Sequence, residues 1–278
     1  MTAAPDLKQL EADLQFARQI ASRAGERAIQ LRELGRWTDP VVLGDVADHA
    51  ADGLLQGYLR GRYPEDGILS EETADSPDRL SKQRVWIVDP LDGTKEYRTG
   101  REDWAVHVAL CIDGRPALGA VALPTLGWTL WGLCWPGHER VGVDSLNESR
   151  PTLVTGHLPG PARPRAVCSR SHTPAWVERF AQAIQGSLVP CGSVGFKLSR
   201  LLLGDADVYA HKRGLKEWDT CAPECVARAA RWHVSRLDGS AQLYNRPDPR
   251  NDELFIARPA DAERLRRAAI DAGALAGA

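Results

Sequence analysis

No apolar run in this chain approaches the roughly 20 residues a helix needs to cross a bilayer, and its first residues lack the charged-then-apolar order of a secretory leader. A dominant charge is missing as well. With 35 basic and 37 acidic residues the formal net charge is -2, so no global field draws a nucleic acid polymer or an anionic membrane. An anionic ligand must be held by a local site. The six cysteines, Cys111, Cys134, Cys168, Cys191, Cys221 and Cys225, contain no Cys-x-x-Cys pair, which argues for reduced thiols rather than a zinc knuckle or a disulfide framework. Cys221 and Cys225 can share a helix face, a weak basis for a metal role. Internal repeats and low-complexity tracts are absent. These absences predict a soluble cytoplasmic protein, monomer or homodimer, acting on small molecules, its 278 residues sufficing for one large domain or two.

What is present centres on Val85-Trp86-Ile87-Val88-Asp89-Pro90-Leu91-Asp92-Gly93-Thr94-Lys95-Glu96-Tyr97. Four apolar residues read as a short buried strand, cut off by Asp-Pro and then Asp-Gly, both turn formers. Proline fixes its own φ and Gly93 can take a conformation closed to other residues, so Asp89 and Asp92 can be held on one side of a tight loop. Carboxylates that close repel unless a cation separates them, and hard divalent ions favour such oxygen ligands. Standing alone, the motif reads first as a β-turn with solvated acids, and it is the rest of the chain that favours a metal site.

Upstream, Leu10, Leu14, Ala17, Ala21, Ala24, Ala28 and Leu31 recur at alternating spacings of four and three, predicting a long amphipathic helix with a small-residue stripe. Leu43-Gly44-Asp45-Val46-Ala47-Asp48 leads into a second helix carrying Leu54, Leu55, Tyr58 and Leu59, with Asp45 and Asp48 near its start, where capping is the ordinary role for an acid. Ile68-Leu69-Ser70 is a very short strand running into Glu71-Glu72. Downstream, Trp104 to Ile112, Leu118 to Leu123 and Trp128 to Cys134 read as an antiparallel meander, and Asp144 to Pro164 as a linker. The rhythm then changes to alternating strand and helix: strands at 166–168, 188–191, 208–210 and 232–237, helices at 174–184, 194–203, 218–230 and 260–270. The division falls into residues 1–145, helices plus antiparallel sheet, and 146–278, an α/β unit.

If these strands share a sheet, Glu71, Asp89, Asp92 and Asp219 converge from separate element ends, and with the Leu91 carbonyl could bind two or three Mg²⁺ ions for phosphoryl transfer. The run Asp89-Pro90-Leu91-Asp92-Gly93-Thr94, with Glu71-Glu72 before it and Trp218-Asp219 after it, resembles the inositol monophosphatase superfamily of Mg²⁺-dependent, lithium-sensitive phosphatases. Thr94-Lys95-Glu96-Tyr97, Ser169-Arg170-Ser171-His172 and Trp218 to Glu224 are similar to the 3'(2'),5'-bisphosphate nucleotidases of the CysQ type within it. The resemblance implies an αβαβα sandwich of the sugar-phosphatase type. It implies metal binding by Glu71, Asp89, Leu91, Asp92 and Asp219, and activation of water by Thr94 with Asp48 or Glu71. Phosphate would lie on the Gly93 and Thr94 N–H groups, and Ser169, His172, Ser193 and Lys197 would contact the nucleotide.

Gly192-Ser193 at a helix start offers free N–H groups to an anion, and Lys197 one turn on adds charge. Arg213 and Lys216 are read either as charges near a second phosphate or as a solvated basic loop. The pattern is broken before the water-activating acid, where Leu43-Gly44 replaces the family's Val-Thr and leaves both Asp45 and Asp48 in play, and at Ser70, where glycine is usual. The implied reaction is hydrolysis of the 3'-phosphate of adenosine 3',5'-bisphosphate, with the sulfated analogue as a second substrate, in sulfur assimilation. The competing readings are an inositol monophosphatase, a fructose 1,6-bisphosphatase, and a nucleotide sensor without turnover.

Overall fold

The computed structural model describes residues 6–146, 151–171 and 173–275. Helix α1, Leu7–Glu33, starts at Asp6, whose side chain accepts the Lys8 N–H at 3.1 Å, and buries the whole small-residue stripe. Helix α2, Pro40–Arg62, is capped by Asp39 with proline in its first turn. Asp45 and Asp48 therefore lie one and two turns inside α2 and cap nothing.

The first sheet runs β1 (Gly67–Ser70), β2 (Arg84–Asp92), β3 (Ala105–Ile112), β4 (Arg115–Leu123), β5 (Trp128–Leu133) and β6 (Arg140–Ser145), in that spatial order. Its pairs are antiparallel except β1 with β2. Two features depart from the sequence reading. Strand β2 continues through Pro90 to Asp92, because its register with β3 slips between Asp89 and Asp92 and the missing proline N–H falls in that gap. Strand β6 takes in Asp144 and Ser145, which were assigned to a linker; it pairs along its whole length with β5, and Gly142 lets Trp131 lie flat against it.

Helix α3, Thr94–Arg98, is a single turn following β2. The second half contributes β7 (Arg165–Ser169), α4 (Ala175–Ala183), β8 (Ser187–Cys191), α5 (Val194–Leu202), β9 (Val208–His211), α6 (Glu217–Ala229), β10 (His233–Ser235), β11 (Leu254–Ala257) and α7 (Pro259–Asp271). These strands form a second sheet in the order β10-β11-β9-β7-β8. Strand β11, absent from the sequence reading, is four fully buried residues between β9 and β10.

Five layers result. Helices α1 and α2 cover one face of the first sheet, α5 and α6 fill the space between the sheets, and α4 and α7 close the far side. The middle core draws Ile87, Ala109 and Leu130 from before position 145 and Leu201, Tyr209 and Val226 from after it. Gly119 and Gly132, paired across β4 and β5, let α6 rest directly on the sheet; a Cβ on either would come within 2.9 Å of Ala222 or 2.8 Å of Val226. All six cysteines are free. Among the described residues no helix is long and apolar enough to cross a membrane.

Candidate active site

Alternation along β2 decides where its acids go. Trp86 and Val88 face α1 and α2, Val85 and Ile87 face the middle layer, and Asp89 continues the second set. The register slip then brings Asp92 round to the same side. Gly93 follows at φ 94°, and a Cβ there would meet Ser193 Cβ at 3.1 Å and Trp104 Cβ at 3.3 Å, so both the turn and its packing require glycine. Asp219 enters from the first turn of α6, where it accepts the Lys216 N–H at 2.6 Å.

Asp89, Asp92 and Asp219 each place an oxygen within 4.8 Å of the others, and the group contains no cysteine. Glu71, just past the end of β1, lies against Asp89. Thr94 Oγ1 is 3.1 Å from the Leu91 carbonyl and 3.4 Å from Asp48 Oδ2. The geometry thus favours Asp48 over Asp45, which is exposed and ion-paired with Arg98. Among the described residues Asp48 Oδ1 and Asp89 Oδ2 are buried without a donor. Such orphaned oxygens are costly unless a cation takes them, and an all-oxygen donor set of this kind suits a hard divalent ion.

The charges agree with that reading. Burial, then Glu71, Asp92 and Asp219, raises Asp89 well above the carboxylate range. Burial, then Glu72 and Glu71, pushes Asp48 to about 8. Asp219 is pushed to about 7 by burial and Asp92. Glu71, although exposed at the site's mouth, is enclosed enough for burial, Asp92 and Glu72 to bring it to about 7. Asp92 moves the other way. Burial opposes its ionisation, but His107 Nε2 at 3.1 Å and the Gly195 N–H at 2.8 Å outweigh it. His107 is correspondingly raised against the effect of its burial by Asp92 and by the Trp218 carbonyl 3.1 Å from Nδ1.

Four acids whose pKa is higher folded than unfolded bind extra protons in the native state between about pH 4 and 8, so metal-free stability falls as pH rises through that window. Asp92 and Lys197, whose pKa values are lowered, oppose the trend, Lys197 in a more alkaline window. The Tm of the metal-free protein is expected to drop from pH 5 to pH 8, with Mg²⁺ restoring more at pH 8. A Tm that rises over this range and ignores Mg²⁺ would contradict the crowding.

Beside this centre a cavity of about 340 Å³ is lined by Cys168, Ser169, Thr173, Trp176, Tyr209 and Arg213, among others. Tyr209 is close enough to Asp92 and Asp219 to feel their charges. Ser169 ends β7 on its wall. Ser193 caps α5, its Oγ accepting the Phe196 N–H at 2.9 Å, and backs onto Gly93. The anion cradle expected at Gly192-Ser193 is not available: Asp103 takes both N–H groups, Gly192 at 2.6 Å and Ser193 at 3.1 Å. Lys197 is not an exposed helix lysine but is 4% exposed, its ammonium on the carbonyls of Gly192 and Ser193 and 5.6 Å from the Tyr209 ring. Burial lowers its pKa, with Asp92 opposing. Lys216 supplies the backbone N–H that holds Asp219. His172 lies outside the described residues.

Sequence reasoning missed His107 and Asp103. The signal for His107 was present: it sits opposite Asp89 in the β2–β3 ladder, a pairing that becomes visible only once β2 is carried past Val88. Asp103, also ion-paired with Arg170 at 2.5 Å, had no local signal.

Five layers around an all-oxygen acidic centre make an arrangement that could hold a hard divalent cation against a phosphoryl group. The chain belongs to the inositol monophosphatase family, whose model matches residues 9–272, and that family is metal-dependent. It is 38% identical over 256 residues, 88% of this chain and 89% of the relative, to the 3'-phosphoadenosine 5'-phosphate phosphatase of Mycobacterium leprae. It is 32% identical over 241 residues, 81% of this chain and 91% of the relative, to the 3'(2'),5'-bisphosphate nucleotidase CysQ of Salmonella typhimurium. The crystal structure of CysQ from Bacteroides thetaiotaomicron superposes with a TM-score of 0.75 at 25% identity, covering 89% of this chain and 97% of that one.

Proposed function

We propose that this chain is a 3'(2'),5'-bisphosphate nucleotidase that hydrolyses the 3'-phosphate of adenosine 3',5'-bisphosphate to AMP and phosphate, and accepts the 5'-phosphosulfate analogue, in cytoplasmic sulfur metabolism. The observation that carries it is the carboxylate centre of Asp89, Asp92 and Asp219 set beside Thr94 and Asp48, in a chain whose relatives bear that activity in their names. Glu71, Asp89, the Leu91 carbonyl, Asp92 and Asp219 would hold two or three Mg²⁺ ions. Bound there, Mg²⁺ supplies charge neutralisation for the phosphoryl group and acidifies water. Thr94 and Asp48 orient the attacking water, and Asp48, held up at about 8 by burial and by Glu72 and Glu71 while the centre is empty, would take its proton once bound cations offset that crowding and ionise it. The Gly93-Thr94 turn receives the phosphate, while Ser169, His172, Ser193 and the cavity beside Tyr209 hold the nucleoside. Lys197, its ammonium held by the carbonyls of Gly192 and Ser193, acts from within the chain near Asp92.

Relative kcat/KM with Mg²⁺ on adenosine 3',5'-bisphosphate, inositol monophosphate and fructose 1,6-bisphosphate tests the reading. The nucleotide is expected to lead by at least about 10²-fold, and by up to about 10⁴-fold if the site hydrogen-bonds its polar groups; parity, or preference for a sugar phosphate, would overturn it. Lithium is expected to inhibit at concentrations where potassium does not, since a small hard cation can enter an all-oxygen centre. Equal curves in LiCl and KCl would refute that.

A further inference from the structure

Glu71 and Glu72 occupy the least supported backbone of the site. They follow a four-residue strand at the sheet edge, paired only with β2, and residues 71–76 belong to no helix or strand. Asp48 is crowded by both glutamates and Asp92 by Glu71, while Glu71 shares a hydrogen bond with Asp89, so the segment needs a hold on its own backbone side to keep the pair at the centre. Asp52 supplies the hold. Ser70 donates its hydroxyl to Asp52 Oδ1 at 2.6 Å and Thr73 donates to Oδ2 at 2.5 Å, so one carboxylate grips the residues on both sides of the glutamate pair. Asp52 is 7% and Ser70 4% exposed, which leaves little water to compete for these bonds.

Asp52 stands one turn beyond Asp48 on α2 and continues a row at i, i+4 spacing. Gln56 Nε2 is 3.5 Å from Asp52 Oδ1, and Arg60 donates to Gln56 at 3.1 Å. Leu55 and Leu59, fully buried, fix this helix in the core beneath α1. The position of a packed helix is thereby imposed on a loose loop. Ser70 provides one of the two hydroxyls.

We propose that Asp52 is a positioning residue: through Ser70 and Thr73 it sets the Glu71 carboxylate for its cation without touching cation or substrate. The proposal rests on the metal-centre reading above. Mn²⁺ alone, titrated into the full chain and followed by the paramagnetic resonance of the free ion, reads the centre without nucleotide or turnover. Asp52→Ala is expected to weaken Mn²⁺ binding by about 10- to 100-fold, the range for removing a group that orients a metal ligand. Asp52→Asn is expected to recover most of that loss, because its carbonyl accepts from Ser70 and its amide donates to the Thr73 hydroxyl.

The double variant Ser70→Ala, Thr73→Val is expected to match Asp52→Ala, and decides the matter from the loop side if Asp52→Ala does not fold. In turnover, the Mg²⁺ concentration for half-maximal rate rises while the nucleotide KM at saturating Mg²⁺ stays within about twofold. Wild-type Mn²⁺ affinity in the folded variants, or an Asn variant as weak as the Ala, overturns the clamp and leaves the centre standing. A wild-type chain that binds no Mn²⁺ overturns the centre, and the clamp with it.

Discussion

Asp92→Asn is expected to lower kcat/KM for adenosine 3',5'-bisphosphate by about 10³-fold or more, the scale for losing a preorganised charge at a phosphoryl-transfer centre. The side chain keeps its shape, so the loss reports its charge and its second acceptor oxygen and not its packing. Asp92 is the one acid in the cluster whose pKa is lowered, because His107 and the Gly195 N–H hold it ionised against burial. An amide cannot serve as a counter-charge to His107, which is itself fully buried, and with its oxygen kept on the His107 and Gly195 donors that both meet Oδ2, its NH2 replaces the oxygen left for a cation. Asp113→Asn, in the exposed turn between β3 and β4, serves as control and is expected to stay near wild type. Circular dichroism at equal concentration establishes that the variant is folded. Activity within about tenfold of wild type would remove Asp92 from the chemistry.

Asp48→Asn and Asp45→Asn are expected to part widely. Asp48 is 4% exposed and within 3.4 Å of the Thr94 hydroxyl, so its variant loses the proton acceptor and about 10²- to 10⁴-fold in kcat, with KM little changed. Asp45 faces solvent and Arg98 from one turn earlier on α2, and its variant is expected within a few-fold of wild type, as for an exposed pair. Steady-state kinetics at saturating Mg²⁺ measures both. A large loss in Asp45→Asn with an active Asp48→Asn would reverse the assignment and place the water elsewhere.

Much of the fold was legible because its cause was local. The alternating four-and-three stripe of α1, the apolar runs of β3, β4 and β5, and the strand–helix rhythm after Arg165 are patterns that burial reads directly. The misreadings came where position depended on distant chain. Strand β11 is four apolar residues behind a polar stretch, and only its place between β9 and β10 makes it a strand. Strand β6, with two valines around Gly142, is held by Trp131 of its neighbour. Pro90 looked like a stop and is a passage, because a ladder slip excuses its missing N–H.

The same division holds at the site. Asp89, Asp92, Gly93 and Thr94 share one turn and could be seen together in sequence. Asp219 and Glu71 could be joined to them only on the condition that their elements meet in space, or through family resemblance, and the structure brings both to that turn. Gly192-Ser193 and Lys197 were read as open to an anion, and their polar groups are taken up within the chain. No pattern announces that Asp103, some ninety positions upstream, takes both N–H groups or that two carbonyls occupy the lysine.

Anomalous diffraction from crystals soaked with Mn²⁺ and AMP tests the shared metal centre most directly. Peaks bounded by Asp89, Asp92, Asp219 and Glu71, with phosphate density reaching them from the Gly93-Thr94 turn, are the expected result. Ordered nucleotide with no anomalous signal among those four side chains, or manganese bound at another place, would contradict it.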